Sequence, residues 1–464
     1  MTSKLQDKMF QQMEQKEIFQ QAKDYAFDYA DNALERNVYP SDAAIANLAQ
    51  FDEALPDAIG DAAEVIKILH DYGSPATVSQ IGGRFFGLVN GGVIPASLAA
   101  RWLSDFWDQN TPLYITSPIT SKLEEISEAW LKQLFGLPDS VVAGFVSGSS
   151  MAIFCGLAAG RYRIFNNNGW DVNKQGLNGA PKFRIVAGRQ VHGTVVKAIA
   201  LLGLGIDNIE WVEVDEQGRI NPALIPELDA NTLLLLQAGN VNSGAFDSID
   251  EICDKANQAN TWIHIDGAFG LWAAGSQKLR HLTKGIEKAN SWSVDSHKTL
   301  NVPYDSGILL CNDSEALVQA LQASGSYIVY GENRDGMLYT PEMSRRARVI
   351  ELWAALRYLG KSGIDELVTG LHERALEMSL ALKAEGFEIL NDVVFNQILV
   401  SCGDDEITLK TIEYIQQSGE CWVGGARWDD KAVIRISVCS WATTGADIKR
   451  SVKAFVAGRA KANQ

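Results

Sequence analysis

Lys298, in the run Ser293-Val294-Asp295-Ser296-His297-Lys298-Thr299-Leu300-Asn301-Val302, is one lysine in a weakly charged, largely apolar neighbourhood. Partial burial disfavours an ammonium and makes the neutral, nucleophilic amine easier to reach, which Schiff-base chemistry with an aldehyde requires. Taken alone, the residue reads more simply as a solvated lysine after a strand. A second run, Thr261-Trp262-Ile263-His264-Ile265-Asp266-Gly267-Ala268-Phe269-Gly270, is an apolar β stretch that ends in a carboxylate among glycines. Strand-end carboxylates in α/β proteins point into the ligand crevice. An aspartate there, with a lysine at the end of the following strand, is the pair that pyridoxal phosphate needs. The lysine bonds its aldehyde, and the carboxylate keeps the pyridine nitrogen protonated so that the ring accepts electrons.

Two further runs fit that chemistry. In Gly144-Phe145-Val146-Ser147-Gly148-Ser149-Ser150-Met151-Ala152-Ile153 a β run passes through a small hydroxyl-rich turn into an apolar helix. Free N–H groups at that helix start, with the hydroxyls of Ser149 and Ser150, form an anion site suited to the cofactor phosphate; an ordinary serine N-cap fits the same residues. His192, in Gln190-Val191-His192-Gly193-Thr194-Val195-Val196-Lys197-Ala198, stands at a strand-to-helix junction from which an imidazole can lie on a flat ring. A structural histidine is the plainer reading of that position.

Four motifs in order complete the pattern: Ser117-Pro118-Ile119-Thr120-Ser121-Lys122-Leu123-Glu124 with Trp130 after it, His192 to Ala198, His264 to Gly270, and His297-Lys298. Through these, and over most of its length, the chain resembles the group II pyridoxal-phosphate-dependent amino-acid decarboxylases of fold type I, which include the aromatic-amino-acid, histidine and glutamate decarboxylases. The resemblance implies that Lys298 is the Schiff-base lysine, Asp266 the pyridinium partner and His192 the ring-stacking residue. It puts Ala268 on the other ring face, and Ser149, Ser150 and His297 near the phosphate. It also implies decarboxylation of an L-amino acid to amine and carbon dioxide through aldimine and quinonoid intermediates, in a symmetric homodimer whose active sites take residues from both subunits.

Some positions depart from the family pattern. Met151 stands at a usually acidic position, and Asp295 where several relatives have asparagine near the phosphate. The stretch Ala238-Gly239-Asn240-Val241-Asn242-Ser243-Gly244 lacks the usual threonine pair, so Asn240 or Asn242 is a candidate for the lost polar contact. In the family a loop tyrosine is thought to protonate the substrate carbon. Here the shorter loop from Ser326 to Glu342 offers Tyr327, Tyr330 and Tyr339, and Tyr339 is preferred because it is nearest the shared Ser344-Arg345-Arg346-Ala347-Arg348 segment. Ordinary loop packing explains each tyrosine equally well. Arg435, in Val433-Ile434-Arg435-Ile436-Ser437-Val438, is the candidate that holds the substrate carboxylate, because a planar guanidinium suits bidentate recognition; a solvent-facing arginine also fits the alternation. Phe85 and Phe86, in the glycine-rich run 82–92, are candidate walls of the substrate pocket, with a plain interdomain linker as the rival. The departures leave transamination and oxidative deamination to an aldehyde as alternative reactions. A non-catalytic pyridoxal-phosphate-binding protein is a third alternative, against which the intact Lys298, Asp266 and His192 stand.

Strands must deliver these groups. The β-type runs Val141 to Val146, Phe183 to Ala187, Ile209 to Val214, Thr232 to Gln237, Trp262 to Asp266, Ser291 to Val294 and Gly307 to Cys311 alternate with helical ones. That alternation predicts an α/β fold with a mostly parallel seven-stranded sheet and helices on both faces, in agreement with the large domain of fold type I. Asp7 to Asn37 and Ala43 to Tyr72 carry helix-period apolar positions. Arg345 to Gly360 and Gly363 to Glu385 read as helices; Phe387 to Val400, Cys421 to Val423 and Val433 to Val438 read as strands of a small α+β domain. The expected division is a helical N-terminal segment over 1–85, a cofactor-binding domain over 86–343 and a small C-terminal domain over 344–464.

In its 464 residues, 41 basic against 57 acidic side chains give a net charge of −16, which argues against nucleic-acid or anionic-membrane partners. The start, Met1 to Phe19, is polar and unlike a signal peptide, and no apolar run approaches the ~20 residues of a membrane span. Six scattered cysteines suit reduced core residues in the cytoplasm, and six dispersed histidines predict no metal site.

Overall fold

The computed structural model describes residues 3–322 and 331–464. Its larger sheet has seven strands: β1 (Val142–Val146), β2 (Arg184–Gly188), β3 (Ile209–Val212), β4 (Thr232–Gln237), β5 (Trp262–Asp266), β6 (Ser291–Asp295) and β7 (Gly307–Cys311), in the order β1-β7-β6-β5-β4-β2-β3. The pairs from β3 through β6 are parallel, and β7 runs antiparallel to both β6 and β1. This is the expected α/β fold. All residues of β4, β5 and β6 are buried, as strands covered on both faces must be. Alternation then divides their side chains between two cores: Leu234, Leu236, Ile263 and Ile265 enter one, Leu233 and Leu235 the other.

The register fixes where chemistry can occur. Gln237 is paired with Asp266, Asp266 with Ser293, and Asp295 with Gly307, so the carboxyl ends of β4, β5 and β6 finish side by side. Open α/β sheets bind ligands at that edge.

A second, antiparallel sheet comprises β8 (Glu388–Ile389), β9 (Gln397–Ser401), β10 (Gly424–Trp428) and β11 (Lys431–Ser437), in the order β10-β11-β9-β8. Two expected strands shift here. The run from Phe387 to Val400 divides into β8 and β9, because Asn391 turns its side chain onto the backbone: its amide donates to Gln397 O and Ser243 O and accepts from Leu399 N. The strand expected over Cys421 to Val423 begins at Gly424 instead, and Trp422 exchanges backbone bonds with Arg84 and Phe86.

Helices cover the other face of this sheet. The long helix Val349–Ala384 is interrupted at Gly360, whose φ of 57° marks the break expected between two helices. The last helix, Gly445–Ala462, starts at a Thr444–Asp447 capping box. At the N-terminal end, Lys4–Gln15 and Glu17–Ala33 are helical. The helix expected from Ala43 to Tyr72 is broken: residues 52–61 are not helical, and Pro56 and Gly60 explain the gap. Among the described residues no helix is long and apolar enough to cross a membrane.

Candidate active site

After β6 the chain turns through Ser296–Val302 before returning as β7, and this turn is held tightly. Ser296 Oγ donates to Ser306 O, His297 Nδ1 accepts from Ser306 N at 3.1 Å, and Thr299 Oγ1 donates to Phe269 O at 2.8 Å. Lys298 reaches back so that Nζ lies 3.0 Å from Asp295 Oδ2, and His297 Nε2 lies 3.6 Å from the same oxygen. Asp295 is buried, and among the described residues its other oxygen, Oδ1, has no hydrogen-bond partner.

That orphaned oxygen borders the start of the helix Ser149–Asn167. A Cβ built on Gly148 would come within 3.7 Å of Asp295 Oδ1 and 3.3 Å of His297 Cε1, so a side chain there would press on the histidine. Met151 N and Ala152 N both bond Gly148 O, and among the described residues no side chain caps the helix. The N–H groups of Ser149 and Ser150 therefore open toward an anion. Ser149 is buried, whereas Ser150 is exposed.

Asp266 ends β5. Its Oδ1 accepts from Ala268 N at 3.1 Å and from Ser293 Oγ at 3.3 Å, which leaves Oδ2 for a cation. Burial pushes this carboxyl above the ordinary range, and the charges of His192 and Lys298 pull it back. Ala268 also accepts from Asp295 N, tying the two strand ends together. His192 caps the helix Gly193–Leu201 through Nδ1, which accepts from Thr194 N at 3.2 Å and lies 2.6 Å from Thr194 Oγ1. Burial lowers its pKa, opposed by Asp266 and assisted by Lys298 and Arg435. A neutral ring that accepts at Nδ1 carries its proton on Nε2.

Arg435 enters from β11 and donates to Val241 O at 3.0 Å, and burial lowers its pKa. Lys298, Asp266, Ala268, His192, His297, Ser149 and Arg435 thus come together where the carboxyl ends of the large sheet face β11 of the small one. Other candidates lie elsewhere. Phe86 belongs to the core of the small domain with Ile398, Ile434 and Ile436, its backbone bonded to Trp422 and Ser437. Phe85 is buried beside it and bridged to Trp422. Tyr339 lies under the Arg334 guanidinium, 4.4 Å from ring centroid to Cζ, with its carbonyl against Gly144 of β1; none of its described contacts is to Lys298, His192 or Asp266. Tyr327 and Tyr330 fall outside the described residues. Asn240 is consumed by its own turn, accepting from Asn242 N and Ser243 N and donating to Gln190 O.

Sequence reasoning overlooked the residues that orient the named ones: Asp295 as partner of Lys298, Thr194 behind His192, Ser293 behind Asp266, and Asn301. A signal existed for two of them. Asp295 and Lys298 are three apart across a turn, and Ser293 and Asp295 share one face of a strand that ends at the site.

The set fits pyridoxal phosphate. A free helix start beside a glycine offers a seat for the phosphate, Asp266 keeps an oxygen free for a ring cation, and an amine lies between them. No group of three or more His, Cys, Asp or Glu among the described residues is arranged to hold a metal ion.

Residues 47–401 match the pyridoxal-dependent decarboxylase conserved domain. The chain is 26% identical over 454 residues to the aromatic-L-amino-acid decarboxylase of Bacillus atrophaeus, spanning 93% of this chain and 92% of that one. It is 28% identical over 334 residues to the acidic amino acid decarboxylase GADL1 of Mus musculus, spanning 68% of this chain and 59% of that one. The crystal structure of Oryza sativa TDC with PLP and tryptamine superposes with a TM-score of 0.88 at 19% identity, over 96% of this chain and 97% of that one.

Proposed function

Because this chain belongs to the pyridoxal-dependent decarboxylase family and is a pyridoxal-phosphate-dependent amino-acid carboxy-lyase, we propose that the cluster around Lys298 divides its work as follows. Lys298 holds the cofactor covalently, Asp266 holds its ring nitrogen, and His192 and Ala268 cover its two faces. The start of the helix Ser149–Asn167, with Ser149, Ser150 and His297, holds the phosphate. When bound, pyridoxal phosphate supplies the electron sink that allows a carboxylate to leave the α-carbon.

The protein's own groups do the rest. Arg435, anchored on Val241 O, orients the substrate by its carboxylate. Burial disfavours the charge of Asp266, and a cation facing it favours that charge. The proton that takes the place of the carboxylate on the α-carbon comes from a group that reaches that carbon, a loop tyrosine as the resemblance implies or a proton-bearing group of the cluster such as Lys298 Nζ or His192 Nε2. The observation that carries this reading is the meeting of Lys298, Asp266 and His192, in which the lysine charge acts on both the carboxyl and the imidazole, and these act on each other.

The test is borohydride reduction of the protein incubated with pyridoxal phosphate, followed by peptide mass analysis and a screen of L-amino acids for carbon dioxide release. Labelling at Lys298, carbon dioxide with the matching amine, and loss of both in Lys298→Ala are expected. An oxo acid or an aldehyde as the product, or turnover retained in Lys298→Ala, overturns the assignment.

The same reading includes a homodimer in the cytoplasm. In support, the helix Pro95–Trp107 leaves Trp102, Leu103, Phe106 and Trp107 exposed along one side, an apolar surface suited to a second copy. The six cysteines are free, and five are buried. Light scattering that gives the mass of a single chain contradicts the dimer.

A further inference from the structure

We propose that Asn301 is a positioning residue whose side-chain amide sets the span between Lys298 and Arg435, and so lets the site favour a ligand that carries a carboxylate beside its amine. The proposal rests on the roles just given to those two residues.

Asn301 is fully buried with a left-handed backbone, φ 58°. Its Oδ1 accepts from Gly92 N at 2.6 Å and from Trp441 N at 3.0 Å. Its Nδ2 donates to Lys298 O at 3.2 Å, Thr299 O at 2.9 Å and Cys439 O at 2.9 Å. The main chain adds Asn301 N to Lys298 O and Ile94 N to Asn301 O. One side chain, with its bonding capacity filled, therefore joins three segments distant in sequence: the lysine turn, the loop 91–94 and the exit from β11. The packing has no slack, since a Cβ on Gly91 would overlap the Lys298 carbonyl oxygen. Asparagine is one of the few side-chain-bearing residues at ease with positive φ. Glycine would satisfy the backbone equally and make none of these side-chain bonds.

Arg435 lies four residues before Cys439 on the same strand and exit. The small domain is thus tied to the large one on both sides of its arginine, by Arg435 itself at Val241 O and by Asn301 at Cys439 and Trp441. The lysine turn has independent supports in the Ser296–Ser306 and Thr299–Phe269 bonds. Losing the Asn301 amide therefore leaves Lys298 in place and releases the segment that carries Arg435.

Two carbonyl reagents separate these effects. Hydroxylamine and aminooxyacetate both displace a lysine from pyridoxal phosphate, and only the second carries a carboxylate. With the pyridoxal-phosphate-loaded protein, the preference for aminooxyacetate is expected to fall about tenfold in Asn301→Gly, the scale of one or two net hydrogen bonds. The hydroxylamine rate and the borohydride labelling of Lys298 are expected to stay unchanged. Arg435→Gln should lose the same preference. Asn301→Asp, which keeps the size and turns an oxygen toward three carbonyls, carries the same expectation should the glycine variant not fold. A retained preference overturns the proposal, as does an equal slowing with both reagents, which marks general loosening. Failure of the unsubstituted protein to bond pyridoxal phosphate at Lys298 overturns the assignment of Lys298 itself.

Discussion

Lys298 Nζ and Asp295 Oδ2 are 3.0 Å apart, with side-chain exposures of 20% and 1%. The aspartate is the buried partner and the lysine the accessible one. Removing the charge while keeping the shape, as in Asp295→Asn, leaves Lys298 Nζ without its ion-pair partner. In protein incubated with pyridoxal phosphate, borohydride labelling of Lys298 in that variant should slow about tenfold, the scale of one or two net hydrogen bonds. Labelling as fast as in the parent protein would show that Asp295 does not position the amine.

Asp266→Asn keeps an acceptor for Ala268 N and Ser293 Oγ and removes the charge. Pyridoxal phosphate should still be trapped on Lys298, while carbon dioxide release falls on the order of 10²- to 10³-fold, as when a fixed electrostatic partner is lost. Turnover within a few-fold of the parent protein would dismiss Asp266 as the ring-nitrogen partner.

His264 supplies a pH dependence unconnected with the chemistry. It is buried on β5 with Nδ1 2.8 Å from Ser291 Oγ and Nε2 unpartnered, and burial lowers its pKa to about 3. Because the folded value lies below the unfolded one, its contribution to stability is complete above the unfolded pKa and is lost as pH falls toward the folded one. Between pH 7 and pH 5 the loss should reach about 2 kcal/mol. Asp247, raised to about 6 by burial, acts in the opposite direction over part of that range, so the difference between the parent and His264→Gln isolates the histidine. Urea unfolding at pH 7 and pH 5 measures it, and parallel losses in both proteins would refute the prediction.

Away from the site, Glu124 holds two arginines: Arg345 Nη2 at 2.8 Å and Arg334 Nε at 3.0 Å, all three side chains at most 7% exposed. Glu124→Ala leaves both guanidinium groups short of a partner and should cost about 3–5 kcal/mol in urea unfolding. A cost below about 1 kcal/mol, the range of a surface pair, would contradict it.

The strands were legible because each stands as an apolar run between turn residues. Thr232–Gln237, Trp262–Asp266 and Gly307–Cys311 match the sequence expectation residue for residue. Lys298, Asp266 and His192 were legible because strand ends point to one edge of a parallel sheet. Tyr339 was less so, because a loop of altered length hides its register, and its ring serves Arg334. Phe86 was less legible for a different reason: a glycine-rich run resembles a pocket rim, and only the bonds to Trp422 and Ser437 reveal that it is inserted between the segments before β10 and at the end of β11. Asn301 was silent in sequence, since its partners Gly92 and Cys439 lie more than a hundred residues away on either side.

That separation has a consequence for the order of events during synthesis. The lysine turn is complete by residue 302, yet the bonds that lock it to the segment after β11 wait for Cys439 and Trp441, 138 and 140 residues beyond Asn301. A growing polypeptide can lay down the sheet, the lysine and the phosphate seat long before the arginine of β11 is fixed opposite them. The pocket is therefore finished late, and a chain cut short of residue 439 lacks that lock however well its larger sheet folds.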